Sequence, residues 1–114
     1  MAITLLNIAA IQLSNTGTTI FLGSTTKATV VESIILTNTG TATESVNLYF
    51  RPGGASAPGR LICPKNLQLP PNAQVILDAE IILGVTGVAA DTLYGSTTNL
   101  NVVDCVISGM QRDL

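Results

Sequence analysis

The chain has no histidine and no tryptophan, and only 11% of its 114 residues carry a charge, where an ordinary soluble domain has about a quarter. Without histidine there is no Ser–His–Asp or Cys–His catalytic pair and no ordinary zinc site. Five Lys and Arg residues (Lys27, Arg51, Arg60, Lys65 and Arg112) lie scattered among seven carboxylates, giving a net charge of −2. Nucleic-acid binding needs clustered basic residues that release counterions, so no nucleic-acid partner is expected. Aromatic residues amount to 4%, too few for platforms on which sugars would stack. The apolar stretch from Ala2 to Leu13 falls short of the roughly twenty residues a membrane helix needs. Asn7 and Gln12 interrupt it further, so it reads as a strand, and no membrane partner is expected. The opening Met1-Ala2-Ile3-Thr4 lacks the basic region of a secretory signal. No Asn-x-Ser/Thr glycosylation acceptor occurs.

What is present is strand-forming. Hydrophobic residues reach 46%, dominated by valine, isoleucine and leucine, with abundant threonine. Glycine, proline and asparagine cut the sequence at short intervals, the pattern of many short strands with frequent turns. The expected fold is all-β: one domain over residues 1–114, an Ig-like or jelly-roll-type antiparallel sandwich of about seven or eight short strands. Strands are expected at Ala2–Leu13, Thr18–Leu22, Thr29–Thr37, Glu44–Arg51, Arg60–Leu69, Gln74–Leu83, Asp91–Tyr94 and Leu100–Gly109, the last followed by a short polar tail. In Thr29–Thr37, strict alternation puts Val31, Ser33 and Ile35 on one face and Val30, Glu32, Ile34 and Leu36 on the other. In Glu44–Arg51 it turns Val46, Leu48 and Phe50 inward. Pro64 makes Arg60–Leu69 an edge or bulged strand. Asn15-Thr16-Gly17-Thr18 and Asn38-Thr39-Gly40-Thr41 share a turn sequence in which Asn and Gly are expected to supply positive φ. A Thr/Asn-rich surface with so little charge is poorly protected against association; it reads as a chain that lives in an assembly.

Few residues invite chemistry. Gly53-Gly54 is not followed by the Lys-Ser/Thr of a phosphate cradle. Asp78 and Glu80, two apart on one expected strand, have the spacing of an acid pair or a calcium site, yet no second acidic cluster accompanies them. They read as a charged strand edge. Asp104, among Val102, Val103, Cys105 and Val106, is expected to be buried against Arg51, Arg60 or a neighbouring subunit. Cys63 and Cys105 read as free thiols, with a bridge between them belonging to a secreted chain. No enzyme, cofactor or metal is expected. The irregular stretch 52–59 is either entropic filler or a contact arm, and in the second case Arg51, Arg60, Gly53, Gly54 and Pro58 are the candidate partner contacts.

The order of elements resembles a known group. The run Val30-Val31-Glu32-Ser33-Ile34-Ile35-Leu36-Thr37-Asn38-Thr39-Gly40 and the strand Val46–Phe50 come first. Leu67-Gln68-Leu69-Pro70-Pro71-Asn72, Val75-Ile76-Leu77-Asp78, Asp91-Thr92-Leu93-Tyr94 and the closing Val102–Gly109 follow. Together they are similar to small β-sandwich structural proteins of tailed bacteriophages. The resemblance implies a virion component that decorates capsids, caps necks or serves tail fibres and baseplates. With no coiled-coil heptads or fibre repeats, the capsid surface is the expected place. The expected function is that of a decoration (cement) protein, assembled in the host cytoplasm. It would act as a homo-oligomer, dimer or trimer, bridging neighbouring copies of the major capsid protein. A tail-fibre, baseplate or neck module is the first alternative and a secreted adhesin or pilus-like subunit the second.

Overall fold

The structure, a computed structural model, describes residues 3–53, 59–78, 80–86, 89–99 and 101–113. Twelve strands follow one another: β1 (Ile3–Gln12), β2 (Thr18–Leu22), β3 (Lys27–Asn38), β4 (Glu44–Arg51), β5 (Arg60–Leu61), β6 (Leu67–Leu69), β7 (Gln74–Leu77), β8 (Ile81–Leu83), β9 (Val85–Thr86), β10 (Ala89–Ala90), β11 (Thr92–Thr97) and β12 (Val103–Asp113). All pairing is antiparallel. Sheet one runs β1-β12-β3-β7, with β8 also on β3; sheet two runs β2-β11-β4-β5, with β6 also on β4; β9 and β10 form a ribbon.

Taking β5 with β6 and β7 with β8 as two interrupted strands leaves eight in the two large sheets, and the chain moves between these sheets at nearly every connection. That wrap, with the first strand beside the last and the second beside the last but one, is the double Greek key of a jelly roll. It differs from the seven-stranded ABED/CFG order of immunoglobulin domains, so of the two expected sandwich types the jelly roll is the one adopted. Apolar side chains from the two inner faces fill the space between the sheets. Leu36, Val103 and Cys105 of sheet one and Val46, Leu48 and Leu93 of sheet two are all at most 1% exposed.

Several sequence expectations change. Strict alternation fails in β3, where the register with β12 shifts between Ser108 and Gly109. The bulge gives β3 an extra residue at Glu32, so Val31, Ile34 and Leu36 are all buried while Val30, Ser33 and Ile35 turn outward. The stretch 74–83 is two strands, because the ladder on β3 stops at Leu77 and resumes at Ile81, opposite that bulge. Asp78 and Glu80 therefore lie in a break of the sheet edge, not on one strand face. The final strand runs through the expected polar tail to Asp113. A second bulge, between Asn7 and Ala9, interrupts β1. The inward set of β4 (Val46, Leu48, Phe50) is as expected, and β5 and β6 lie at an edge of sheet two.

The two Asn-Thr-Gly-Thr turns differ. Gly17 has φ 94 and packs against the Tyr94 ring. Asn38, by contrast, is the last residue of β3, 0% exposed, and holds its turn with its side chain. Its Nδ2 donates to the carbonyls of Ala42 and Leu69, both at 2.8 Å, and its Oδ1 accepts from Gly40 N–H at 2.9 Å.

Candidate contact surface

The outward residues of β12 are Asp104, Val106, Ser108, Met110 and Arg112, set by the inward burial of Val103, Cys105, Ile107 and Gly109. Directly paired residues of antiparallel strands share a face, so the register extends each position into a row. Val106 continues to Ala10 of β1 on one side and to Ile35 of β3 and Ile76 of β7 on the other. Met110 continues through Val30 to Ile82 of β8. These two apolar rows flank a row of small polar residues, Asn7–Ser108–Ser33. Beyond the first apolar row lies Gln12–Asp104–Thr37–Gln74, in which Gln12 donates to Asp104 and Gln74 to Thr37, each at 3.1 Å. Beyond the second, Arg112 pairs with Ala28.

The outer face of sheet one is therefore aliphatic across its width, with Ile76 57%, Ile82 61% and Val106 39% exposed. Shallow hollows open at its two ends, one lined by Ala10, Gln12, Asp104 and Val106, the other by Ala28, Val30, Met110 and Arg112. Asp104 sits on this open face and is bound by Gln12; it is not buried against Arg51 or Arg60, which belong to sheet two.

The outer face of sheet two is mixed: Leu22, 63% exposed, and Leu61, 43% exposed, stand apart from one another among aromatic and polar groups. Tyr49 and Tyr94 are cross-strand neighbours, their ring centroids 6.2 Å apart, and the Arg51 guanidinium lies 3.6 Å over the Tyr94 ring. Asn47 and Asn66 exchange two hydrogen bonds, and Gln68 donates to Ser45 Oγ. The polar groups of this face serve one another.

The expected contact residues at 52–59 divide. Arg51 is held on Tyr94. Arg60 is exposed at the sheet edge opposite Phe50, on the other side of the sheet from Arg51, so the two do not form one basic pair. Gly53, with φ 73, donates its N–H to Asp91 Oδ1, while Gly84 N–H donates to Asp91 Oδ2, both at 3.0 Å. Asp91, 5% exposed, thus ties the end of β4 to the end of β8. Gly54 and Pro58 lie outside the described residues.

Both cysteines are free thiols. Cys105 is buried, and desolvation pushes its thiol up to about 12. Cys63 is half-buried; burial raises it as well, and a backbone hydrogen bond at Leu48 partly offsets the shift. Among the described residues no group of His, Cys, Asp and Glu side chains could hold a metal ion, and no helix is long and apolar enough to cross a membrane.

No protein-family model matches the chain, and no curated protein does. Solved structures do. A capsid chain of the T13 particle of infectious bursal disease virus superposes with TM-score 0.59 at 8% identity, over 96% of this chain and 30% of that one. A chain of the Gx strain of the same virus gives 0.52 at 11% identity, over 96% and 32%. A subunit of the disulfide-linked pili that form Bacillus endospore appendages gives 0.58 at 13% identity, over 99% of this chain and 89% of that one. What is shared is the fold. The chain spans about a third of the length of the viral chains and nearly all of the pilus subunit.

The aliphatic rows were hidden from sequence reasoning by the bulge at Glu32. Strict alternation put Ile35 with Val31, which is buried, and so masked the row that Ile35 shares with Val106 and Ile76. The signal was present in β12, where outward Val106 and Met110 alternate with buried Cys105 and Ile107.

Proposed function

We propose that the chain is a virion structural protein, and specifically a decoration (cement) protein on the head of a tailed bacteriophage, where it contacts the major capsid protein and reinforces the shell. The observation that carries the reading is the aliphatic outer face of sheet one. A stable fold does not need two exposed isoleucines and a valine aligned across one sheet, whereas a surface that is covered in the working assembly does. Other features support it. Jelly rolls recur in viral capsids, and the fold is shared with the capsid chain above. At roughly 25 cal/mol per Å² of apolar area, a modest contact repeated over a shell sums to substantial reinforcement.

The test is electron microscopy of particles carrying the chain, labelled with an antibody against it. Label spread over the head supports the decoration reading; label confined to tail or neck replaces it with the fibre, baseplate or neck alternative. A second reading, a pilus-like subunit, is favoured by one observation, the match to the endospore-appendage subunit over nearly the full length of both chains. It predicts disulfides in the assembled material. Titration of denatured, unreduced assemblies separates the two: two reactive thiols per chain remove the pilus reading.

A further inference from the structure

We infer that the aliphatic face of sheet one pairs with the same face of a second copy, about a two-fold axis that crosses the strands at the Asn7–Ser108–Ser33 row. The inference rests on reading that face as a contact surface, and it names the occupant.

The argument is the order of outward residues on β12: Asp104, Val106, Ser108, Met110, Arg112. About Ser108 the sequence is acid, aliphatic, small, aliphatic, base. A two-fold interface is isologous, so each residue meets the one equally far on the other side of the axis. With the axis between the sheets and perpendicular to the strands, each strand lies antiparallel over its own mate. Val106 then meets Met110 of the second copy, Ile35 meets Val30 and Ile76 meets Ile82. Small side chains meet at the axis, and Asp104 meets Arg112 at both ends. The register of four strands generates every one of these matches, apolar on apolar and acid on base. Had the axis run along the strands instead, Asp104 would face Asp104. Aligned sheets cross at about 30°, so the central strands β12 and β3 keep the closest register and carry the contact.

The dimensions fit a specific but modest dimer. Four strands about 4.8 Å apart and eight residues at about 3.4 Å each give about 500 Å² per copy. The total of about 1,000 Å² lies at the lower bound for a biological interface. One group opposes the pairing: the bulge residue Glu32 is exposed beside the axis, with Asp78 and Glu80 opposite it in the edge break, and two copies bring like charges together there. Arg112 already has an interaction within its own chain; its five donors allow a second.

Asp104 and Arg112 of one chain stand roughly 27 Å apart along β12, well beyond the screening length of about 8 Å at physiological salt. Any energetic coupling between them is therefore coupling between copies. Analytical ultracentrifugation of the purified chain, from about 1 µM to 1 mM, is the test. Dimerisation is expected in the micromolar range. Val106→Lys or Ile76→Lys, each checked for an unchanged circular-dichroism spectrum, is expected to weaken it at least tenfold, since each substitution enters the interface twice. Asp104→Arg or Arg112→Asp alone is expected to weaken it about tenfold. The double swap is expected to return it to within about threefold of the parent, and Glu32→Gln to tighten it several-fold. A chain that stays monomeric to 1 mM overturns the inference, as does a dimer indifferent to Val106→Lys, or charge reversals with no rescue. A monomer that binds phage heads and loses that binding with Val106→Lys overturns the pairing yet keeps the decoration reading. A dimer with the expected rescue, found on no particle, does the reverse.

Discussion

Replacing Asn38 by alanine removes three hydrogen bonds from the place where the chain crosses from sheet one to sheet two. The side chain is 0% exposed, so water does not replace what is lost. The Leu69 carbonyl, whose bond from Nδ2 is buried, is left unpaired at about 1–3 kcal/mol. Gly40 N–H and the Ala42 carbonyl are only partly buried and lose about 0.5–1 kcal/mol each. The sum is about 3 kcal/mol. Unfolding entropy of about 2.1 cal/mol/K per residue over 114 residues makes 1 kcal/mol worth about 4 °C, so Tm is expected to fall by about 12 °C. The assay is thermal and urea unfolding followed by circular dichroism, with the urea m-value unchanged to show that the denatured state is not the cause. Asn38→Asp supplies the control for shape. It keeps the acceptor for Gly40 N–H but aims a second oxygen at two carbonyls, and at neutral pH it is expected to cost at least as much as alanine. A fall of less than about 4 °C for Asn38→Ala would refute the reasoning: the turn would then be held by its backbone alone.

Three further outcomes are expected. Glu44, 1% exposed, accepts from Asn99 N–H at 2.8 Å and Asn99 Nδ2 at 2.7 Å; Glu44→Gln turns one acceptor into a donor facing a donor and should cost about 2 kcal/mol, read as a Tm lower by about 8 °C. Cys105 holds its proton more tightly folded than unfolded, so its contribution is complete below its ordinary value of 9.0 and is lost as pH rises toward about 12. Stability should fall by about 1.4 kcal/mol per pH unit in that window, a slope that urea midpoints should show for the parent and not for Cys105→Val. Gly109 lets β12 approach β3 so closely that an added Cβ would lie 1.9 Å from the Val30 carbonyl oxygen; Gly109→Ala should force the strands apart and lower Tm by more than 10 °C, about 2.5 kcal/mol or more.

The residues explain how far the sequence could be read. Strand formers cut by Gly, Pro and Asn set the fold class, and simple alternation found the inward set of β4, because β4 is regular from Glu44 to Arg51. Alternation failed in β3, because one extra residue at Glu32 reverses the side every later residue takes, and nothing local to Val-Glu-Ser-Ile announces it. The break between Leu77 and Ile81 was invisible for the related reason that it answers the same bulge from the neighbouring strand. Asn38 looked like a turn former of the common kind; its buried, three-bond role depends on Leu69, 31 positions away. The contact surface was legible only as a global quantity, the shortage of charge, because its rows are assembled from four strands distant in sequence.

The two outer faces explain why the shortage of charge is not uniform in effect. On sheet two the polar groups are spent on one another: Asn47 with Asn66, Gln68 with Ser45, Arg51 with Tyr94. On sheet one the polar groups are confined to the margins and the axis row, and the rows between carry Val106, Ile35, Ile76, Met110, Val30 and Ile82. A soluble monomer protects such a face with Lys or Glu pointing out of the sheet. Here the charges placed among the rows, Glu32 at the bulge with Asp78 and Glu80 in the edge break opposite it, would weaken a self-pairing without abolishing it. An interface tuned in that way forms when copies are concentrated side by side and stays open when they are dilute. That behaviour suits a subunit that must remain soluble during synthesis and associate only at its place of assembly.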